Sequence, residues 1–583
     1  MRHLRWLSIL VLPIWFGLII LPLNAWAKPE DSVQFYFDNY GRADPKDKLV
    51  RRVHQVFKKM KLVADKRHHR LPQLAIVEGF DTDCLIIALP DGHIVLSKQA
   101  LDMIYKNVPL IHGDTRAAFV LGHELAHLAN NDHWHRAFLR VVRKTPSFRQ
   151  LVKNYRGSKG INAEIEADDH GFIYAAMAGY PVDKLLADDS HQQNFLVYWE
   201  QQTFRRVNNT HPRAEVRANL LRARLQALLD SLPYFHFGVR LSHFGRCFDG
   251  IYFLREFAQN FPGREVYNNL GVCELQKAQK VLGKKAYLYW LPSVLDVTTP
   301  VDNLSLPYAH KGERSTLADE FLANAEDYFK SALDMEPSYL PANVNLAITA
   351  FYLGEIYQAR AAIEKARQLA PDDLEIQGLR LVILYEDGEQ SPYVDMWPYI
   401  IQQLDLLAQQ PNAPLSVLYN MAKLLELRKR TGADKLWQRL ARQVADLPAP
   451  IRRIVCEKTA CPRPSRQKAP KASWELPVKL GIDTRRHKTL RQWQKSEMKL
   501  YDLYEQIYQH PNGKAEVLAL RELVEMVVLK KLEQFTRDDL ADYCGQPLRL
   551  SRVMNGTLWS CDHWTALIVD EKVKEVWVVS TTD

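Results

Sequence analysis

Apolar positions recur every three or four residues from Thr115 to Asn130. Ala117, Val120, Leu121, Leu125 and Leu128 share one stripe, and Asp114 or Thr115 can cap the start of the helix they predict. Asn162–Tyr174 is a second strongly helical stretch, and the block Asn208–Arg217 carries turn chemistry leading into a helix that begins near Pro212. From residue 318 the pattern acquires a 34-residue period: Ala325 and Ala359, Ala332 and Ala366, and Pro337 and Pro371 are each one period apart, and Gly354 and Gly388 continue it. Farther on, helical stretches are predicted near Leu490–Gln509 and Lys514–Phe535. Strands follow over Trp564–Val569 and Val573–Val579, joined by a hairpin at Asp570–Lys572. Trp559, Trp564 and Trp577 read as core residues of that part. The fold class is therefore multi-domain and mainly α, with a small α+β C-terminal region.

A period of 34 is tetratricopeptide spacing. Small residues stand where paired helices cross closely, Phe329 and Ile363 fill the groove between them, and a proline ends the second helix of each unit. Leu418–Lys423 with Ala441 reads as a divergent further unit. Asn268–Leu275 reads as the first helix of an earlier one, parted from its partner helix by an insertion from about Ala286 to Ser315. A generic array of helical hairpins is the alternative. Either stacks into a superhelix whose concave face takes a peptide or a protein partner.

Composition bounds the rest. The chain has 583 residues, 25% charged and 47% hydrophobic, enough for several folded domains and unlike a disordered protein. Its net charge of +9 is modest for this size, so charge gives no reason to expect nucleic acid. Arg2, His3 and Arg5 precede the apolar run Trp6–Leu23, and Ala25-Trp26-Ala27 places small residues at the −3 and −1 positions of a signal-peptidase site. A cleaved secretory signal over residues 1–27 is expected. An uncleaved anchor is the alternative, with Pro13 and Pro22 against it. In an oxidising compartment, the seven cysteines offer three pairable spacings: Cys247 with Cys273, Cys456 with Cys461, and Cys544 with Cys561, leaving Cys84 over. Pro462–Ala472 reads as an extended basic linker. The domain plan is a signal (1–27), a catalytic domain (28–230), repeats (231–450), a linker (451–475) and a C-terminal region (476–583).

The candidate chemistry lies in the first helix, at His123-Glu124-Leu125-Ala126-His127. Positions i and i+4 share a helical face, so both imidazoles can hold one Zn²⁺, with Glu124 beside them as general base. A catalytic zinc needs a third protein ligand, and Glu164 on the next helix is the candidate. Asp168 is four residues on, placed to accept a ring N–H from a ligating histidine and set its tautomer. His211, at a helix entry, is either a structural turn histidine or a group that touches substrate or metal. His133 and His135 read as ordinary surface or packing residues.

Gly-His-Glu-Leu-Ala-His, then Glu164-x-x-x-Asp168 with Ala178-Gly179-Tyr180, then Thr210-His-Pro212 with Arg217, resembles the M48 metallopeptidase family. That family includes the HtpX proteases, the CaaX prenyl endopeptidases and the BepA-type periplasmic peptidases with tetratricopeptide repeats. The resemblance covers roughly residues 45 to 225. It implies a gluzincin-like α+β domain, one zinc per chain held by His123, His127 and Glu164, Glu124 as base, and Asp168 behind a ligand. It further implies a substrate-binding edge strand, matched here by Ala88–Ser97 with His93, Ile94 and Val95 behind a Pro-Asp-Gly turn. Where family members often carry Asn and Ala before that turn, this chain has Cys84–Ala88. The resemblance also gives His211 a gating role near the metal, and Arg217 a regulatory or substrate-contacting one.

The function expected is a zinc endopeptidase in the periplasm, soluble or peripheral at the membrane. It acts on misfolded or stalled exported polypeptides that the repeats, or a partner bound to them, deliver. The rival is a chaperone or scaffold whose peptidase is gated shut or dispensable. A purely structural zinc site fits less well, because three ligands plus an adjacent base match the catalytic arrangement.

Overall fold

The computed structural model describes residues 32–64, 72–80, 85–129, 159–186, 195–196, 198–199, 214–259, 261–299, 317–389, 395–459, 461, 474–500, 503–544, 548–554, 556–561 and 564–580. The expected signal, Cys84, His133, His135, His211 and Pro462–Ala472 lie outside these residues.

The first unit opens with α1 (Val33–Tyr40) and α2 (Lys48–Val63). Asp47 caps α2 by accepting from the Leu49 and Val50 amides, and Val50, Val53, Val56, Phe57 and Met60 form its buried stripe. Three strands follow, β1 (Gln73–Val77), β2 (Ile86–Ala88) and β3 (His93–Ser97), then α3 (Lys98–Tyr105), α4 (Leu110–Ala129), α5 (Lys159–Met177) and α6 (Ala214–His243). The sheet order is β1-β3-β2, parallel on one side and antiparallel on the other. This corrects the expected edge strand: His93, Ile94 and Val95 lie on the central strand, bonded on both sides. The outer strands are β1 and β2, and the Pro90-Asp91-Gly92 turn folds β2 back beside β3. A three-residue strand is too short for alternation to reveal.

Helix α4 begins five residues before the expected start. Asp114 is buried inside it, paired with the Arg52 guanidinium at 2.7 Å and accepting from Tyr105 Oη at 2.9 Å, so it ties α4 to α2 and α3 instead of capping.

Helix α6 runs through the expected domain boundary at 230/231. Its far end packs on α7 (Cys247–Ala258), and α8 (Arg264–Leu282) follows. The repeats comprise α9 (Leu317–Met335), α10 (Leu340–Leu353), α11 (Ile356–Leu369), α12 (Leu374–Glu389), α13 (Trp397–Ala408), α14 (Leu415–Leu427) and α15 (Ala433–Arg442). Ala325, Ala332, Ala359, Ala366, Phe329 and Ile363 are fully buried at the crossings, as the period requires. Gly354 sits at the left-handed C-cap of α10 with φ +77°, which suits a residue without Cβ. Helix α8 packs on α9 across the insertion. A further helix, α16 (Ala449–Lys458), occupies the start of the expected linker.

The C-terminal region departs furthest from expectation. The two helices predicted over 490–535 are instead β4 (Gln494–Leu500), β5 (Leu503–Gln509), β6 (Ala515–Leu520) and β7 (Leu523–Lys530). After α17 (Arg537–Cys544) come β8 (Arg549–Val553), β9 (Gly556–Ser560), β10 (Trp564–Val569) and β11 (Lys572–Val579). All eight form one antiparallel sheet in the order β4-β5-β6-β7-β11-β10-β9-β8. Every residue of β6 is buried, so the strand shows no alternation, and its Ala, Leu and Glu favour helix locally. The β6–β7 turn, Arg521-Glu522, has φ of +51° and +66° without a glycine to announce it. Trp564 and Trp577 are core, while Trp559 is half-buried. The sheet docks on α6 and its neighbours: the buried Arg240 reaches Glu516 at 3.2 Å and Glu575 at 2.6 Å, and Arg246 reaches Glu525 at 3.1 Å.

Cys456–Cys461 and Cys544–Cys561 are disulfides. Cys247 and Cys273 are buried free thiols, correcting that pairing. The two thiols are hydrogen-bonding neighbours, and Cys273 Sγ also lies 2.9 Å from Ser242 Oγ and Cys247 Sγ 3.0 Å from Gln276 Oε1. Among the described residues no helix is long and apolar enough to cross a membrane.

Candidate metal centre

The site forms where α4 crosses α5, and two glycines set the distance. A Cβ on Gly171 would meet Phe119 O at 2.7 Å and His123 N at 2.8 Å, and one on Gly122 would meet the Gly171 Cα at 2.9 Å. The helix backbones touch there, which brings the histidines of α4 against the carboxylates of α5. Sequence reasoning passed over both glycines, although glycine inside two otherwise helical patterns is the signal that could have found them. Because backbone atoms must give way, Gly171→Ala should lower stability by about 1–3 kcal/mol and weaken metal binding. Thermal melting and metal titration check this, and an unchanged melting temperature would sink the close-contact account.

One donor atom from each of His123, His127 and Glu164 falls within 4.8 Å of the others. The two Nε2 atoms are 3.0 Å apart, and Glu164 oxygens stand 3.4 Å from His123 and 3.5 Å from His127. Three such donor atoms converging on one point fit a divalent cation, and two imidazoles with one carboxylate suit zinc. Side-chain exposures of 13%, 27% and 17% leave one flank of the cluster open to an approaching ligand, as a catalytic centre needs.

Behind the cluster, His123 Nδ1 lies 2.9 Å from Asp168 Oδ1, so an Nδ1–H donated there leaves Nε2 facing the other two groups. Asp168 is gripped from its other side by Arg217 of α6, through both Nε and Nη2. Burial opposes a charged Asp168, yet Arg217 and His123 outweigh it and hold the carboxyl down at about 2. The next residue of α5, Asp169, pairs with Arg224, two turns along α6 from Arg217, at 3.0 Å and fastens the helices again. The site thus gives Arg217 a positioning contact, where the regulatory or substrate-contacting role was expected.

Burial disfavours a positive His123 ring, but Asp168 and Glu164 prevail and raise it to about 10. The pocket therefore favours positive charge, which a bound cation also supplies. Glu124 is buried, and burial, with Glu164 adding to it, pushes its carboxyl up to about 7. The Ala88 amide hydrogen-bonds that carboxylate. Ala88 ends β2, so an outer strand of the sheet runs up to the base, whereas sequence reasoning took His93–Val95 as the substrate edge.

Residues 48–163 match the model of peptidase family M48, and residues 317–382 match that of a tetratricopeptide repeat. The first match takes in His123, Glu124 and His127 and ends one residue before Glu164. No curated protein matches the chain significantly. The chain therefore joins a metallopeptidase segment to repeats of a kind that bind proteins, in that order.

Proposed function

From the M48 match as premise, we propose that the protein is a zinc-dependent endopeptidase of the cell envelope, cleaving misfolded or stalled exported polypeptides that its repeats recruit directly or through a partner. The observation that carries this is the convergence of His123, His127 and Glu164 within 4.8 Å, with Glu124 buried alongside. Zinc bound there supplies Lewis acidity, acidifying water and polarising the scissile carbonyl.

The protein's own groups do the rest. Glu124 takes the proton of the attacking water and returns it to the leaving amine, a role suited to a carboxyl whose proton affinity burial has raised. Asp168 fixes the His123 ring, and Arg217 fixes Asp168. An extended substrate adding to the outer strand β2 would bring its main chain alongside Ala88 and hence Glu124. The signal read over residues 1–27 and the two disulfides support an oxidising compartment outside the cytoplasm.

The test is cleavage of a reduced, unfolded model protein. Removing metal with a chelator should lower the rate at least a hundredfold, and added Zn²⁺ should restore it. Cleavage that continues in the chelator would end the metallopeptidase reading.

A further inference from the structure

The insertion between α8 and α9 runs back along the repeats, and four asparagines hold its main chain, three by a two-way grip and Asn268 by donating to the Val294 carbonyl at 3.0 Å. Asn420 accepts from the Trp290 N–H at 2.7 Å and donates to the Trp290 carbonyl at 3.0 Å. Asn345 treats Val294 the same way, at 2.8 Å in both directions. Asn269 does so for Asp296, at 2.9 and 2.7 Å. Each of these three asparagines is the sixth residue of its helix, α14, α10 and α8 respectively, and each is buried.

The rungs fall on residues 290, 294 and 296, alternate positions of an extended chain running opposite to the order of the helices. The absent rung is equally informative. Position 292 is a proline, which has no N–H to give, and the helix between α10 and α14 that would serve it, α12, carries Leu379 as its sixth residue. Groove and segment lack the same rung.

An amide that takes both the N–H and the carbonyl of one residue reads main chain and ignores side chain, so any extended polypeptide can satisfy it. Left empty, the groove would strand most of its buried amide groups, with Asn345 and Asn269 keeping only their bonds to Asn268, a costly state. We propose that the groove of Asn269, Asn345 and Asn420 is a binding site for extended polypeptide, and that residues 290–296 are its internal occupant, in competition with the unfolded chain of another protein. Both ends of the occupant are held: Met554 N donates to the Leu295 carbonyl at 3.1 Å at one end, and Tyr419 Oη donates to the Tyr287 carbonyl at 2.6 Å at the other. An incoming chain therefore has to replace the amide rungs themselves. Being tethered, the segment competes at high effective concentration, so the intact protein binds unfolded chains weakly.

The inference does not need the peptidase reading, because binding is measured with the full chain carrying Glu124→Gln. The ligand is fluorescent, reduced and carboxymethylated α-lactalbumin. Adding Tyr289→Ala and Leu291→Ala loosens the occupant's side-chain anchors and should tighten binding at least tenfold. Adding Asn345→Ala and Asn420→Ala removes four hydrogen bonds to the segment's main chain and should weaken it at least tenfold. Hydrogen exchange gives a readout that needs no groove or anchor variant: saturating ligand should strip protection from the Trp290 and Val294 amides. Binding that leaves those amides protected, or that is indifferent to the asparagines, places the polypeptide elsewhere and overturns the proposal.

Discussion

Glu124→Gln is expected to lower peptide-bond cleavage by about 10²–10⁴-fold while leaving fold and metal content intact. Gln keeps the shape and an oxygen that can still accept from the Ala88 amide, but it cannot take a proton from water. Glu124 is buried with Glu164 nearby, so a neutral amide also relieves like-charge repulsion, and the melting temperature should hold or rise. Activity, bound metal and melting measured together separate loss of the base from loss of the site. Cleavage at the parental rate would remove Glu124 from the reaction. Lost cleavage with cellular function preserved would favour the scaffold reading, in which the repeats carry the role.

Arg217→Leu should have the largest effect on stability, about 3–5 kcal/mol, because it leaves the Asp168 carboxylate buried with the His123 ring as its remaining charged neighbour. Metal affinity should fall about 10–100-fold as His123 loses its fixed partner. Arg217→Lys restores charge without the two-pronged grip and should fall between the two. The acid dependence has a definite sign. A carboxyl held down at about 2 contributes stability that is complete above its unfolded pKa near 3.8 and is lost as pH falls through about 2. The stability gap between parent and variant should therefore narrow over that window. Denaturation at several pH values with parallel metal titrations checks this, and an Arg217→Leu protein with parental stability and affinity would show the pair to be incidental.

How much of this was legible follows from how local each signal is. The histidines at i and i+4, Glu164 with Asp168, the 34-residue period and the Asp570–Lys572 hairpin are written in short-range spacing. Spacing specifies which side chains share a face before any partner is known. The two closed cysteine pairs are 5 and 17 residues apart, and they formed as read. Cys247 and Cys273 do come together, as hydrogen-bonded thiols that remain unjoined.

Tertiary structure alone decided what lies between distant segments. Which strand is outermost depends on pairing order, and β3 took both partners while β2 reached Glu124. Arg217 meets Asp168 across 49 residues because α5 and α6 pack, and no periodicity reports packing between helices. The strand β6 was hidden because burial on both faces erases alternation, and because a turn such as Arg521-Glu522 is stabilised by the sheet around it instead of by its own residues. The asparagines of the groove look unremarkable singly, since their meaning is the chain they hold. The sequence by itself determined the chemistry available and the faces that would be buried. The fold decided which faces met, because that choice rests on shape and satisfied hydrogen bonds summed over the whole core, and no local window contains it.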